Sequence, residues 1–597
     1  MAKHRRTASP LSHKQSEKAN SGIAESAAID PALLASVLVF TAAVYATTIR
    51  FKFVYDDTGY IVQNALVHSW RYIPLYFQGD VWQYLFPNSP GNYYRPVNLL
   101  WTCFNDALFG LHPAGWHVMA IALHLCVTSL AFLVARRLTG RPLVAAFAAL
   151  LFGVHPMHHE VVAWVSGTTE SVWSAFFLLS FLAYLRSREA RRAAWLAASC
   201  ALYAAGLLAK EPAIVLPAVV CVHAWLYGDR SEEGSLQTPL GARVSRVLTL
   251  GSIYVPVAIA YLIMRVHALH GFSHPSTRIP ARTFVLTFPS VLFFYVKQWL
   301  LPIRFAEFYP LPLAQTFDVA KVAVPLLGLL LVAAVLWFSR RLLGTRELLF
   351  SVAWMLLTLL PALDFAVFPS GDIVHDRYFY LPSFGAALLI ALAADKLAHG
   401  PMTFGLPRGL VVLTLCILPP LSYASATASS YWISDYVMFD HARSIAPDNV
   451  TVRNNFAVEE ADNGNLAVAR PMMNDLLRDY PNNYLANYNY ARLSYQIGDL
   501  ASAEQYFERA QKIDPLLPEP HLQLGLIALK RNRMGAAETE MRRAIAIRPT
   551  DPTFQFALGV TFAQEGNCDA ARAAFSEALL LNPEFPNAQE QMRKCQP

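Results

Sequence analysis

Between Asp30 and Ala428 the chain carries one apolar stretch after another, each close to the ~20 residues that a helix needs to cross a hydrocarbon core. Backbone N–H and C=O groups find no partner in lipid, so such stretches are confined to helices, and a series of them predicts an all-α, polytopic transmembrane bundle. The candidate spans are 31–49, 116–138, 142–156, 168–186, 193–209, 211–228, 247–267, 284–302, 320–339, 346–363, 378–397 and 408–428. Composition agrees: 55% of the 597 residues are hydrophobic, 15% are charged and the mean hydropathy is +0.33, too little charge to cover a soluble protein of this size. The net charge of +6 is no footprint for nucleic acid, because the basic residues cluster in short connections between spans. Residues 1–30, with Lys3, His4, Arg5, Arg6, Lys14 and Lys18, read as a disordered cytoplasmic tail, and Pro31–Ile49 as a retained span rather than a cleaved leader.

Charge in the short loops sets sidedness. Arg136, Arg137 and Arg141 mark one cytoplasmic loop and Arg186, Arg188, Arg191 and Arg192 another, so 50–115, 155–167 and Lys210–Pro212 face outward. Arg340, Arg341 and Arg346, then Lys396 and Arg408, mark later cytoplasmic turns and put 364–377 and the C-terminal region outside. Twelve spans from an inside start would end inside, so one candidate between 247 and 302 is expected to be broken, re-entrant or paired with an unseen partner, as Pro256 and Pro289 allow. The expected total lies between about eleven and thirteen.

Beyond the spans, Pro447, Pro481, Pro515, Pro549 and Pro583 stand 34 residues apart. Ala469, Ala503, Ala537 and Ala571 keep the same step, as do Gly464, Gly498 and Gly566, with Asn532 in the place of a fourth glycine. Small residues at helix contacts and a proline after each second helix, at this period, are the tetratricopeptide signature. The reading is a linker and half repeat over 431–448, four repeats over 449–584 beginning near Asn449, Asn483, Leu517 and Asp551, and a capping helix over 585–597. Such a solenoid presents a concave surface to a protein or peptide, with Tyr484, Asn487, Tyr488, Asn489 and His521 as candidate lining; a rigid spacer or dimerisation arm is the alternative. Antiparallel packing about Pro583 would bring Cys568 and Cys595 together, which predicts a disulfide in an oxidising compartment. No cysteine spacing suits zinc.

Directly after the first span come Asp56 and Asp57. Paired carboxylates next to low-dielectric lipid raise one pKa, which suits a general base or a cation site; the alternative is a cap on a helix over Thr58–Gln63. Arg95 precedes an amphipathic stretch, 97–111, expected to lie on the membrane surface. His155, His158, His159 and Glu160 follow the third span, Lys210 and Glu211 share a tight turn, and Asp376 and Arg377 precede Tyr378, Phe379, Tyr380 and Leu381. Charges at membrane depth are functional candidates by default. Each also has a structural reading: Arg95 and Arg377 as interfacial anchors, Lys210 and Glu211 as a mutual pair, the histidines as hydrogen-bonded interface groups. Their common sidedness suits group transfer from a phosphate-linked lipid, with Arg95, Lys210 and Arg377 on the phosphate and an aspartate taking the acceptor proton.

The segments FVYDDTGYIVQN, YRPVNLL, HPMHHEVVAWVSG, AKEPAIVL and DRYFYLPSFG, in this order and followed by such repeats, resemble the transmembrane and tetratricopeptide-repeat-containing O-mannosyltransferases of the GT-C class. The resemblance covers nearly the whole chain after residue 30. It implies a polyprenyl-phosphate sugar donor, Asp56 or Asp57 as catalytic base with Asp56 preferred, and Arg95, Lys210 and Arg377 near the donor phosphate. His155, His158, His159, Glu160, Glu211, Asp376 and Tyr380 would support the site. The chain departs from the family at Gly167-Thr168-Thr169-Glu170, where the family tends to have Gly-Arg-Ala-Asp. The expectation is a membrane glycosyltransferase that moves a hexose such as mannose, with inversion, to a hydroxyl of an extracytoplasmic acceptor, in first place protein Ser or Thr. No metal ligand set stands out; Asp56 and Asp57 are the residues that would hold Mg²⁺ or Mn²⁺, a weak site by themselves. The alternatives are a non-catalytic membrane scaffold and transfer to a lipid or glycan. The membrane would be the bacterial inner membrane, towards which the Ala- and Arg-rich composition leans, or the endoplasmic reticulum in a eukaryote.

Overall fold

The computed structural model describes residues 30–86, 91–189, 191–228, 239–272, 274, 279–365, 368, 372–397, 401–403, 406–582 and 585–595. The polar tail over 1–29 and Pro583 of the proline series lie outside the described residues. The chain is helical; the only strands among the described residues are the antiparallel pair Met402–Thr403 and Leu406–Pro407. It divides into two compact units. One takes in residues up to Val62, Val67–Gln78 and Tyr94–Ser434; the other takes in Gln63–Leu66, Gly79–Tyr93 and Asp435 onward.

The first unit holds ten helices long and apolar enough to cross a membrane, from Asp30–Arg50 to Arg408–Ser430, and makes this a multi-pass membrane protein. Two shorter apolar helices, Pro142–Val154 and Glu211–Tyr227, stand where further spans are expected. With 13 residues, Pro142–Val154 rises only about 20 Å against a core of about 30 Å. Ser166–Ser187 and Asp376–Lys396, 83% and 78% buried, form the centre, while Leu240–Leu269 and Val319–Leu343, 17% and 11% buried, leave their apolar faces to the surroundings. Aromatic rings interlock the centre, with Trp354 edge-on to Phe384 at 5.2 Å and to Phe177 at 5.6 Å.

Local chemistry closes the helices. Gly140 adopts φ +71° and ends Pro113–Thr139, and Pro142 opens the next helix at its first turn. The arginines of this turn gather acids from other connections: Arg136 pairs with Asp30 at 2.9 Å, Arg137 with Glu189 at 2.7 Å and Arg141 with Asp395 at 2.8 Å. Ala281–Leu300 is held differently. Phe284 stacks on Phe365 at 4.6 Å, Thr287 accepts from the Ala314 amide at 2.9 Å, Ser290 donates to the Lys321 carbonyl, and Gln298 donates to the Tyr309 hydroxyl at 3.0 Å. These partners lie in 301–323 and 365, at the end of the bundle opposite the arginine turn.

In the second unit Asp435–Ile445 forms the half repeat, and four helix pairs follow: Val450–Asp462 with Leu466–Asp479, Tyr484–Gln496 with Leu500–Ile513, Glu519–Lys530 with Met534–Ile547, and Pro552–Gln564 with Cys568–Leu581. Gly464, Gly498 and Gly566 turn each pair with φ of +83°, +84° and +79°, and Asn532 does so with φ +56°. Asparagine is the side chain that best tolerates this left-handed region, which is why it can stand for the missing glycine. Ala469, Ala503, Ala537 and Ala571 are fully buried where the paired helices cross. Asn449, Asn483 and Asp551 cap the first helices through their side chains. The capping helix, Ala588–Lys594, is anchored by Arg572, which donates to the Cys595 carbonyl at 2.9 Å.

Cys568 and Cys595 meet in one core cluster as free thiols. In an oxidising compartment they are expected to join. Peptide mapping of thiol-blocked, unreduced protein checks this: a linked pair of peptides is expected, and separate alkylation of both cysteines would show that they stay reduced.

Candidate active site

The segment after the first helix turns tightly at Tyr55 into a short helical stretch through Asp56, Asp57 and Thr58–Val62. Tyr55 sits at φ +56°, a region unfavourable for a bulky residue, and the Asp57 amide donates back to the Val54 carbonyl at 3.0 Å. The Asp57 carboxylate is fully buried and fully engaged. One oxygen accepts from the Val54 amide at 3.1 Å; the other accepts from the Ser166 amide at 2.8 Å and the Ser166 hydroxyl at 2.5 Å. It therefore ties two outer connections together instead of capping Thr58–Val62. Burial lifts its pKa to about 7, opposed by the bonds from Ser166 and Val54. Asp56 is the opposite case. It is partly exposed, and no hydrogen bond reaches its carboxylate among the described residues. Burial lifts its pKa to about 6 against the pull of Arg377.

Arg377 is the hub of a buried acidic cluster. Its Nη1 donates to Glu160 at 2.9 Å and to both oxygens of Glu307 at 2.8 and 2.9 Å. The other Glu160 oxygen accepts from the Asp376 amide at 3.2 Å. Asp376 accepts from the Tyr309 hydroxyl at 2.5 Å and faces His159 Nε2 at 3.3 Å, while His159 Nδ1 accepts from Trp432 at 2.8 Å. The guanidinium lies 5.2 Å from the Trp164 ring and 5.1 Å from the Tyr378 ring. Tyr55 packs on Trp164 at 5.9 Å and on Phe308 at 6.0 Å, which brings the Asp56 turn onto this cluster.

A second charged group lies beyond Tyr378, whose ring is 5.1 Å from Lys210 Nζ. Lys210 pairs with Glu170, not with its neighbour Glu211, and Glu170 also accepts from Trp173 at 2.6 Å. Glu211 instead takes the fork of Arg95 at 2.6 and 3.1 Å. Arg265 is within electrostatic reach of Glu211, and beside it the buried Tyr261 hydroxyl makes no hydrogen bond of normal geometry. The remaining expected residues serve the interior. His155 stacks on Trp299 at 5.1 Å and donates to its carbonyl at 3.0 Å; His158 bonds Ser383 at 2.9 Å; Tyr380 bonds His124 at 2.8 Å.

Two sets of side chains are close enough to share a cation: His159, Glu160 and Asp376, and Glu160, Glu307 and His375. The Arg377 guanidinium already bridges the two glutamates. Because His159 Nδ1 accepts the Trp432 N–H, its proton belongs on Nε2, which removes the lone pair a metal would need. His375 Nδ1 donates to the Glu307 carbonyl at 3.1 Å. Both Asp57 oxygens are taken, so Asp56 and Asp57 form no ligand pair either. This donor set fits a guanidinium and hydrogen bonds, and does not fit a divalent cation as it is arranged.

Several members of the site escape a reading of the sequence. Glu307 and Tyr309 lie in a non-helical connection, Trp432 at the end of the last span, and Tyr261 and Arg265 inside an apolar run. The one available signal is a charge in an apolar setting, Glu307 between Phe305 and Phe308 and Arg265 after Met264.

Residues 97–249 match a family described as dolichyl-phosphate-mannose-protein mannosyltransferase, and residues 454–518 and 522–589 match the tetratricopeptide repeat. The chain is 27% identical over 510 residues to the protein O-mannosyl-transferase TMTC3 of Mus musculus, covering 80% of this chain and 54% of that one. It is 26% identical over 539 residues to Tmtc3 of Drosophila melanogaster, covering 79% and 58%, and 27% identical over 505 residues to TMTC4 of Homo sapiens, covering 74% and 65%. The chain thus spans little more than half the length of the first two relatives. Among solved structures, MamA protein aligns at 20% identity over 24% of this chain and 80% of that one, with TM-score 0.23. TTC0263, a tetratricopeptide protein of Thermus thermophilus, aligns at 18% identity over 31% and 95%, with TM-score 0.25.

The ion cluster makes a stability prediction. Arg377→Ala leaves Glu160 and Glu307 buried without a counter-charge and is expected to cost about 3–5 kcal/mol, whereas Glu307→Gln, which keeps the Glu160 pair, costs less. Thermal unfolding of the two variants in detergent should show that order.

Proposed function

The chain is a relative of the transmembrane and tetratricopeptide-repeat O-mannosyltransferases, and on that premise we propose that it transfers a hexose, mannose first, from a polyprenyl-phosphate sugar to a hydroxyl of an extracytoplasmic polypeptide. The observation that carries the reading is the division of labour in the aspartate pair. Asp57 is consumed in fixing the turn, and Asp56 is left without hydrogen bonds, partly exposed, with its pKa raised to about 6. A group of that kind suits a general base at neutral pH.

In the reaction the acceptor oxygen bonds to the anomeric carbon from the face opposite the phosphate. The bond from that carbon to the phosphate oxygen breaks, and the phosphate leaves with the electron pair. Asp56 takes the hydroxyl proton, and the configuration inverts. Arg95 and Lys210, with Arg265 and the Tyr261 hydroxyl beside them, hold the phosphate and stabilise the charge it gains. Arg377 holds Glu160 and Glu307 through Nη1 and positions that cluster, and its remaining donors join Arg95 and Lys210 as candidates for the phosphate.

Sidedness follows from the same contacts. In this reading Ala281–Leu300, whose Phe284, Thr287, Ser290 and Gln298 all contact 301–323 and Phe365, is the re-entrant candidate and does not cross. If both shorter apolar helices, Pro142–Val154 and Glu211–Tyr227, complete crossings with their flanking turns, eleven crossings from a cytoplasmic start leave the repeats outside. Single cysteines introduced at Ile279 and Pro302 should both react with an impermeant maleimide applied from the outer side only; protection of either from that side would restore a full crossing.

Purified protein in nanodiscs, given a panel of polyprenyl-phosphate sugars and a Ser/Thr-rich peptide, tests the chemistry. Transfer is expected to fall by about 10²–10⁴-fold in Asp56→Asn and to be insensitive to chelator. Below about pH 6 Asp56 carries a proton and cannot act as base, so kcat/KM should rise through pH 6 and level off above it. A folded protein inert toward every donor would favour a scaffold.

A further inference from the structure

The outer connection that supplies Asp56 and Asp57 at one end and Arg95 at the other sends its middle, Gly79–Tyr93, into the repeat unit. That part is built to stand by itself. Asp80 accepts from the Trp82 amide at 2.8 Å and from the Tyr93 amide at 2.6 Å, and the Val81 amide donates to the Tyr93 carbonyl at 3.1 Å. Gly91 lies so close to Asp80 that a Cβ would come within 2.1 Å of the carboxylate. Above this base, Val81–Phe86 makes an aromatic turn, with Leu85 and Phe86 amides donating back to the Trp82 carbonyl at 3.0 and 2.9 Å.

The repeats meet the turn through Arg548. This residue, at the end of the third repeat, is 4% exposed, and its Nη2 donates to the Leu85 carbonyl and to Glu519 at 2.7 Å. Its Nη1 pairs with Asp551 at 3.4 Å, and its guanidinium lies 5.8 Å from the Phe554 ring. Its Nε is buried without a partner, so one donor more than the turn uses is on offer. Two acids keep the charge balanced whether or not the turn is present. The turn, in its place, is stapled by Asp80 and leaves Phe86 40% exposed. Val81 and Tyr84 of the turn are buried, at 5% and 8% exposure, so the turn is seated as well as stapled.

We propose that Arg548, with Glu519, forms a clamp for a main-chain carbonyl of a polypeptide. In the resting chain the clamp is filled by the chain's own Trp82–Phe86 turn, and an acceptor polypeptide docks on the repeats by replacing that turn. The identity of the competitor as an acceptor rests on the glycosyltransferase reading; the clamp itself does not. Recognition through a carbonyl tolerates any sequence, and the resident turn adds a preference for aromatic neighbours.

The test uses the full chain in nanodiscs and a fluorescein-labelled peptide of the Asp80–Phe86 sequence, read by polarisation. A tethered occupant competes at an effective concentration of about millimolar, so the wild type should bind the peptide weakly. The Trp82→Ala/Tyr84→Ala variant, with its own turn weakened, should bind about tenfold or more tightly, and adding Arg548→Ala should remove that gain. Arg548→Lys, which keeps the charge and loses the planar fork, should retain part of it. Equal affinity in the wild type and the turn variant would overturn the resident-occupant idea. Tight binding that survives both Arg548 substitutions would overturn the clamp. If Arg548→Ala unfolds the repeats on heating, the lysine variant decides. None of these readings needs a sugar donor, so an inert enzyme that binds the peptide condemns only the catalytic reading, and an active enzyme that ignores it condemns only the clamp.

Discussion

One guanidinium organises the candidate active site. Arg377 draws Glu160 and Glu307 onto a single nitrogen, and in doing so it pins together connections that lie more than a hundred residues apart. Burying carboxylates beside a membrane is costly unless each finds a counter-charge and hydrogen bonds, and the attraction repays that cost only when the geometry is tight. Here the backbone amides of Asp376 and Arg377 also turn toward Glu160, so the segment that carries the cation helps to satisfy the acid. The aromatic walls of Trp164 and Tyr378 cover the guanidinium and keep water from screening it.

That arrangement frees the aspartate pair to specialise. Both carboxylates feel the same low-dielectric surroundings, yet only Asp57 is wrapped in donors. The left-handed turn at Tyr55 is the local expense of this arrangement, held in place by packing on Trp164 and Phe308. A fully bonded carboxylate thus stands beside a partly exposed one, and the two were indistinguishable as neighbours in a sequence.

The repeats were legible because their signal is redundant: proline, alanine and glycine each return at 34 residues, and even the exception, Asn532, is the residue that the left-handed turn tolerates best. Most span positions were legible for a similar reason, since hydropathy over ~20 residues averages out local detail. Side-chain partners were not. Lys210 and Glu211 look like a pair, but consecutive side chains diverge, and each found a partner on another helix, Glu170 and Arg95. Glu307 went unnoticed because an irregular connection has no period to read. Hydropathy also says nothing of partners, and the bonds of Ala281–Leu300 to 301–323 and Phe365 appear only in the structure.

What the sequence determined by itself is what short-range physics can determine: where the apolar helices run, which connections carry positive charge, and where the repeats begin and turn. These follow from transfer free energies and backbone preferences that act within a few dozen residues. Which acid meets which base, which of two adjacent aspartates remains open, and which part of an outer connection joins the repeats were decided only by the tertiary structure. Those outcomes depend on Coulomb and hydrogen-bond interactions that fall off over a few ångströms, and only folding brings residues distant along the chain within that range.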